Sequence, residues 1–216
     1  MTLNYSTRQE VKVAVVNYGM GNIGSVVKVL KRLNVMHKVT AEQCDLRWAD
    51  RIILPGVGAF GSAMEKLNEL NLVDPITEQV LEKKKPVLGI CLGMQLFAKT
   101  SVEKKITEGL GFIDADVRKL SADDQHRLPH IGWNTIIKEK KCQLIDDLED
   151  KSFMYFAHDY AVECNDKSNI VCSTIYAKKF PSVICKENIF GVQFHPEKSQ
   201  RTGAVVMTNF VFGGLV

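Results

Sequence analysis

Hydrophobic residues in the first half of the chain form short, β-branched runs separated by segments with helical periodicity. The runs predict buried strands at residues 11–16, 35–40, 51–54 and 87–90. The segments between them predict helices at residues 25–33, 61–70 and 75–84, and another helical pattern opens at Met94. Strands that alternate with helices are typical of a parallel sheet with helices on both faces.

From Gly109 onwards, short alternating or apolar runs replace the helices. They predict strands at residues 111–120, 136–138, 153–156, 161–164, 170–176, 183–186 and 189–194, before a closing helix at 199–212. This half is expected to be antiparallel and to continue, or fold onto, the parallel sheet. No linker-like tract divides the sequence. The fold class expected is therefore α/β, with residues 1–216 as a single domain.

Length and charge exclude several classes of function. The 216 residues suit one α/β domain, and a net charge of +3 is too small to indicate a nucleic-acid partner. Residues 1–10 are polar and lack the apolar core of a signal peptide. No apolar run approaches the ~18 residues of a membrane span, so no membrane association is expected.

The cysteines do not form a metal or disulfide framework. The six are Cys44, Cys91, Cys142, Cys164, Cys172 and Cys185. They contain no C-x-x-C pair, and no His/Cys cluster has zinc spacing. Their irregular spread, partly inside apolar runs, predicts reduced thiols in a cytoplasmic protein. We expect no metal and no cofactor.

One cysteine lies in a pattern that suits a nucleophile. The segment Gly89-Ile90-Cys91-Leu92-Gly93 follows a buried strand and opens a helical pattern, as in a G-x-S-x-G nucleophile elbow with cysteine in place of serine. Such a strained turn needs glycines where backbone segments pass closely. A helix N-terminus would favour the thiolate of Cys91. The simpler interpretation is a buried cysteine between packing glycines.

Two further segments have complementary chemistry. The loop Pro55-Gly56-Val57-Gly58 can present bare backbone N–H groups to an oxyanion, although it also fits an ordinary loop. The strand at 189–194 ends in His195-Pro196-Glu197, and residues two apart on extended chain point the same way. A carboxylate there can fix the tautomer of His195 and stabilise its protonated form. A structural histidine is the alternative.

A glycine pattern near the N-terminus suggests a different function. Gly19, Gly21 and Gly24 form G-x-G-x-x-G after the first strand, with Glu42 roughly where a ribose-binding acid would lie. Glu42 falls just past its strand, in a polar turn. A tight turn used for packing or partner contact is therefore preferred over a nucleotide-binding module.

Together, these segments resemble the class I glutamine amidotransferases, which use a catalytic triad. The matching segments are Pro55-Gly56-Val57-Gly58-Ala59-Phe60, Gly89-Ile90-Cys91-Leu92-Gly93-Met94-Gln95 and Val192-Gln193-Phe194-His195-Pro196-Glu197-Lys198-Ser199. Three more segments resemble the HisH family, the glutaminase subunits of imidazole glycerol phosphate synthase. They are Tyr18-Gly19-Met20-Gly21-Asn22-Ile23, Pro129-His130-Ile131-Gly132-Trp133-Asn134 and Tyr155-Phe156-Ala157-His158. The resemblance covers nearly the whole chain.

The resemblance implies a flavodoxin-like fold and a role for each matching residue. Cys91, His195 and Glu197 would be the triad, and backbone N–H groups of Leu92 and of Val57 or Gly58 would hold the oxyanion. Glutamine would be bound by residues of the elbow, the glycine loop and the strand around 158, namely Gly56, Gly93, Gln95, His158, Asp159 and Tyr160. A (β/α)8-barrel synthase subunit would dock as a heterodimer on Asn22, Tyr155, His158 and Lys198 and receive the ammonia.

Two positions depart from the family pattern. Asp159 stands where a serine is usual, and Gly24 where a larger polar residue is common. The first leaves the triad intact but concerns the glutamine pocket and the pathway served. A glutaminase that feeds a different sugar-aminating synthase, and a stand-alone γ-glutamyl-type hydrolase, therefore remain alternatives.

Overall fold

The computed structural model describes residues 11–214, so the segment 1–10, on which the signal-peptide expectation rests, lies outside the described residues. The described strands are β1 Lys12–Val16, β2 Met36–Thr40, β3 Arg51–Gly56, β4 Val87–Cys91, β5 Thr100–Ser101, β6 Thr107–Glu108, β7 Ala115–Lys119, β8 His130–Thr135, β9 Ile137–Lys138, β10 Phe153–His158, β11 Tyr160–Cys164, β12 Ile170–Tyr176, β13 Lys178–Lys186 and β14 Ile189–Val192. The α-helices are α1 Ile23–Arg32, α2 Gln43–Trp48, α3 Phe60–Glu69, α4 Val73–Thr77, α5 Leu92–Gln95 and α6 Gln200–Phe212. A π-helical turn, Glu78–Glu82, continues α4, and 3-10 turns lie at Gln143–Ile145, Lys167–Asn169 and Pro196–Lys198.

Eight strands form the central sheet, in the order β2-β1-β3-β4-β14-β13-β12-β9. The first five are parallel to one another, whereas β13, β12 and β9 extend the sheet through antiparallel pairings. The expected mainly parallel sheet with an antiparallel C-terminal part is therefore confirmed. Parallel strands end at one edge, so the ends of β3, β4 and β14 lie side by side there.

Both faces of the parallel strands are buried, which explains why these runs are continuously apolar. Along β1, Val13 and Val15 join one apolar cluster while Ala14 and Val16 join the other. Helices α1 and α6 cover the first face, and α2, α3 and α4 cover the second. Burying each large aliphatic side chain contributes roughly 1.5–3 kcal/mol. Within residues 11–214, no helix is long and apolar enough to cross a membrane.

Two smaller sheets complete the described structure. Strand β8 pairs antiparallel with β10, and β11, β7, β5 and β6 form the other sheet in that order. The β8 strand was not predicted. Its apolar residues Ile131 and Trp133 are exposed, so the strand has no buried apolar face of the kind that marks a strand in sequence. It is fixed instead by its ladder with β10.

Several predicted boundaries were wrong. Helix α2 was missed because Leu46 is the one residue that it buries. The strand expected at 111–120 begins only at Ala115, because Gly111 turns the chain with a φ of +69°. The helix expected at 75–84 is α4 followed by the π-helical turn. The helical pattern at Met94 belongs to α5, a single turn that begins at Leu92.

Candidate active site

The elbow brings Cys91 to the edge of the sheet in a strained conformation. Cys91 is the last residue of β4 and has φ +53° and ψ −109°, a region that costs a non-glycine residue roughly 1–3 kcal/mol. A Cβ on Gly93 would lie 1.8 Å from the carbonyl oxygen of Leu54, and one on Gly89 would lie 2.6 Å from that of Gly93. The glycines therefore let β3, the strained turn and α5 pass one another closely.

The helix that follows Cys91 is too short to stabilise a thiolate strongly, contrary to the expectation from sequence. Helix α5 has four residues, so its dipole is small. The thiol instead lies beside the imidazole of His195, whose pKa it raises, and it donates to the carbonyl of Ala157 over 3.9 Å. The buried amide of Gln193 adds a contact, with its Nε2 3.7 Å from Sγ. A protonated imidazole against the sulfur stabilises negative charge there.

His195 and Glu197 form a buried pair beside the thiol. His195 follows β14, and its backbone N–H donates to the carbonyl of Tyr155 over 2.8 Å. Its Nδ1 lies 2.9 Å from Oε1 of Glu197, which also accepts a 3.1 Å hydrogen bond from Nδ2 of Asn22. The two side chains of the pair are 3% and 1% exposed. The structure thus brings Cys91, His195 and Glu197 together.

The electrostatics of the pair favour an imidazolium. Burial acts to lower the pKa of His195, but its interactions with Cys91 and Glu197, including their charges, raise it to about 10. Oε2 of Glu197 is buried and has no hydrogen-bond partner among the described residues, so the carboxylate acts through Oε1 alone. This arrangement can hold a proton on His195 next to the thiol.

A cavity of about 410 Å³ opens onto the sulfur. Its wall contains most of the site residues that the sequence suggested, and four further residues. The lining residues are Val57, Gly58, Cys91, Leu92, Gln95, Glu103, Pro129, Ile131, Ala157, His158, Asp159, Tyr160, His195 and Lys198. The three suggested oxyanion donors, Val57, Gly58 and Leu92, are all in the lining. Gly58 has a φ of +103°, which suits glycine.

Some suggested residues have a different place. Gly56 and Gly93 do not line the cavity; they pack against each other, with a Cβ on Gly56 only 2.7 Å from the Gly93 nitrogen. Asn22, suggested as a docking residue, directs its amide to Glu197. Gln95 lines the cavity but commits its Nε2 to the carbonyl of Tyr160 (2.7 Å) and to Gln193.

His158 is a neutral structural histidine at the cavity wall. Its Nδ1 lies 2.8 Å from the carbonyl of Tyr160, and its Nε2 lies 3.1 Å from Nδ1 of His130. Burial lowers the pKa of His158 to about 3 and that of His130 to about 4. Both ring nitrogens of His158 are therefore occupied, and it cannot replace His195 as a proton carrier at neutral pH.

Two polar residues of the site were missed by sequence reasoning. Glu103 places a carboxylate in the cavity wall, where its Oε2 accepts from the backbone N–H of Phe60 over 2.8 Å. Gln193 is fully buried beside Cys91. A polar residue inside the apolar run 189–194 was the available signal for Gln193. Glu103 comes from a loop with no such pattern.

The glycine-rich turn at 19–24 supports this site. Tyr18 donates from its hydroxyl to the carbonyl of Pro55 over 2.9 Å, and a Cβ on Gly21 would lie 3.2 Å from Pro55 Cγ. The turn thus packs against the loop at 55–60 and carries Asn22 to Glu197. Glu42, the suggested ribose acid, precedes α2 as its N-terminal flanking residue.

Comparisons with known proteins agree with the geometry. The family model for glutamine amidotransferase class-I matches residues 14–213. The chain is 42% identical to imidazole glycerol phosphate synthase subunit HisH 2 of Methanococcus maripaludis, over 92% of this chain and 98% of that relative. It is 44% identical to subunit HisH of Bacillus cereus, over 92% and 93%.

Solved structures show the same fold at lower identity. A putative GMP synthase protein from Thermoplasma acidophilum superposes with a TM-score of 0.72 at 20% identity, covering 95% of this chain and 94% of that one. PurLQS from Thermotoga maritima gives 0.70 at 17% identity, covering 93% and 97%. With the family match over 14–213 and relatives above 40% identity, the chain belongs to the class-I glutamine amidotransferase family.

Proposed function

We propose that this chain is the glutaminase subunit of an imidazole glycerol phosphate synthase, with residues 1–216 as one domain. The observation that carries the chemistry is the position of the Cys91 thiol beside an imidazole held by a buried carboxylate, at the wall of a cavity of about 410 Å³. The HisH relatives support the choice of synthase. The free thiols of the chain support a cytoplasmic location.

The reaction follows from the charge distribution around the sulfur. The thiolate of Cys91 attacks the side-chain amide carbon of glutamine, and the carbonyl oxygen becomes an oxyanion. Backbone N–H groups of Leu92 and of Val57 or Gly58 stabilise that charge. His195 then gives its proton to the amide nitrogen, which leaves as ammonia and produces a γ-glutamyl thioester.

Hydrolysis of the thioester completes the cycle. His195, now neutral, accepts a proton from water as the water attacks the thioester carbon, and glutamate leaves with the sulfur restored as a thiolate. Glu197 keeps Nδ1 protonated through the 2.9 Å hydrogen bond, so Nε2 is free to carry the moving proton. Asn22 donates to the same Oε1 and helps to hold Glu197 in place.

The cavity walls suit the amino-acid end of glutamine. Glu103 and Asp159 contribute carboxylates for the α-ammonium group. Oδ1 of Asp159 is buried and has no hydrogen-bond partner among the described residues. An unpaired buried carboxylate oxygen is unfavourable until a cation reaches it.

The surface beside the cavity suits a protein partner. On the ladder of β8 and β10, Trp133 lies opposite Tyr155 and Ile131 opposite Ala157, so these side chains share one face. Ile131 is 61% exposed, Trp133 47% and Phe153 59%. Lys198 lies over the Tyr155 ring, 5.6 Å from its centroid. A (β/α)8-barrel synthase subunit that covered this face would receive ammonia directly at the cavity mouth.

Coupling to the partner is the testable part of this proposal. We expect slow glutamine hydrolysis by the isolated chain and faster hydrolysis with the barrel subunit and its ligand, because docking beside the glycine loop can reorient an N–H of Val57 or Gly58. Lys198→Ala should leave the basal rate low and weaken the stimulation. Lys83→Ala, an exposed lysine elsewhere, is the matched control. Full activity of the isolated wild-type chain would instead support a stand-alone γ-glutamyl-type hydrolase.

A second candidate is a HisH-like glutaminase that serves another sugar-aminating synthase. Relatives from Methanococcus maripaludis and Pseudomonas aeruginosa have the numbered name HisH 2, which suggests more than one such subunit in those organisms. Asp159 in the pocket is the feature of this chain that fits such specialisation. Stimulation by one barrel subunit and not by another, in otherwise identical assays, would distinguish the two functions.

A further inference from the structure

A second cavity, of about 640 Å³, lies away from the active site. Cys142, Cys185, Phe190 and three lysines, Lys84, Lys140 and Lys141, contribute to its wall. Cys185 of β13 is paired with Phe190 near the start of β14, whereas His195 follows the other end of that strand. The proposed chemistry therefore makes no use of this cavity.

Two of the cysteines in this wall are neighbours. Cys142 and Cys185 line the same cavity, although they are 43 positions apart in sequence, and each thiol is close enough to change the pKa of the other. Both are partly exposed, whereas Cys164 and Cys172 are buried. A reactive dithiol needs this combination of proximity and solvent access.

The surroundings make the two thiols unequal. The neighbouring Cys185 thiol lowers the pKa of Cys142, against the opposing effects of burial and of Asp146, and the backbone N–H of Leu144 and the charge of Lys140 also lower it. The Cys142 sulfur, together with burial, raises the pKa of Cys185, whose thiol donates to the carbonyl of Glu187 over 3.9 Å. Cys142 is therefore the thiolate of the pair and Cys185 the protonated partner.

We propose that Cys142 and Cys185 form a reversible redox site, which closes to a disulfide when a peroxide oxidises it. The Cys142 thiolate attacks one peroxide oxygen, the O–O bond breaks, and a sulfenic acid and hydroxide form. The Cys185 sulfur then attacks the sulfenic sulfur, and the displaced hydroxide takes the Cys185 proton and leaves as water. The two thiols lose two electrons, and the peroxide is reduced to water. A low-molecular-weight thiol reverses the bond by exchange.

The disulfide would tether two parts of the fold. Cys142 directly precedes the 3-10 turn Gln143–Ile145, and the carbonyl of Leu144 accepts a 3.3 Å hydrogen bond from Asn209 of α6. Cys185 lies within the central sheet on β13. Closing the loop between them constrains the unfolded chain, so oxidation should raise the thermal unfolding midpoint by roughly 5 °C or more.

The test is a mapping of the thiols in the full chain after oxidation. The protein is treated with a small excess of hydrogen peroxide, alkylated, digested without reduction and analysed by mass spectrometry. Cys142→Ser, Cys185→Ser and Cys44→Ser are treated in parallel, the last as a control at an exposed thiol outside the cavity. We expect a peptide pair that links Cys142 to Cys185 in wild type and in Cys44→Ser, reversed by dithiothreitol. The rise in the unfolding midpoint should disappear in both of the other variants.

Two results would overturn the proposal. One is full alkylation of Cys142 and Cys185 under conditions that oxidise Cys91. The other is a sulfinic acid on Cys142 with no linked peptide, since a neighbouring resolving thiol would have intercepted the sulfenic acid. Reaction at Cys91 is identified on its own peptide, so a failure of the proposed glutaminase chemistry does not affect this outcome.

Discussion

The elbow glycine Gly93 allows the fold and the proposed chemistry to be tested together. A Cβ at this position would lie 1.8 Å from the Leu54 carbonyl oxygen, and contacts under 3.0 Å essentially do not occur, so a shift of at least about 1.2 Å is required. Leu54 belongs to β3, which is hydrogen-bonded on both sides by β1 and β4. The elbow would therefore move rather than the sheet.

The structure sets the size of the effect for Gly93→Ala. Forcing a methyl group into packed backbone costs roughly 1–3 kcal/mol. Because the Leu54 carbonyl is held within the sheet, we expect the free energy of unfolding to fall by about 3 kcal/mol, the upper end of that range. Because Cys91 lies two residues away, the displacement should also misplace its sulfur by about 1 Å. Such errors cost roughly 100-fold in rate.

Urea unfolding and ammonia release give the two readouts. Gly24→Ala is the matched control: Gly24 is in α1, and a Cβ there meets nothing within 4 Å, so about 0.5 kcal/mol of added stability and unchanged activity are expected. A Gly93→Ala protein with the urea midpoint and glutaminase rate of wild type would show that the close approach does not hold the elbow.

Three further predictions concern histidines. His195→Ala should abolish glutaminase activity, whereas Glu197→Gln should reduce kcat roughly 10²–10⁴-fold, measured as ammonia release in the complex. Cys91 and Glu197 raise the pKa of His195 to about 10 despite its burial, so protonation of His195 stabilises the folded state. This contribution is complete below pH 6.5 and is lost as the pH rises from about 6.5 to about 10. Urea unfolding should show that loss of stability, and the loss should be smaller in Glu197→Gln. Burial lowers the pKa of His130 to about 4, so the free energy of unfolding of the wild type should fall as the pH drops from 6.5 towards 4. The fall should be less steep in His130→Phe. Equal slopes of unfolding free energy against pH in the two proteins would refute this.

The parts of the site that were predictable from sequence are those fixed by local backbone requirements. The elbow was recognisable because glycines must flank Cys91 wherever a strand turns sharply into a helix. His195 and Glu197 were recognisable because they follow a clearly apolar strand at a spacing of two. Strands buried on both faces were also visible as continuous apolar runs.

The parts that escaped depend on contacts between distant segments. Gln193 approaches the thiol only because β14 lies next to β4 in the sheet. The amide of Asn22 reaches Glu197 across 175 positions of sequence. Likewise, the exposed apolar residues of β8 obscured the strand because the pairing with β10, not burial, defines it.

Trapping the covalent intermediate tests the central claim, that Cys91 is the nucleophile, most directly. The chain is mixed with the barrel synthase subunit, its ligand and glutamine, quenched in acid during turnover, and digested for mass spectrometry. We predict one glutamyl group on the peptide that contains Cys91, absent in Cys91→Ala, together with loss of ammonia release in that variant. A Cys91→Ala protein that still released ammonia at a substantial rate in the complex would contradict the account.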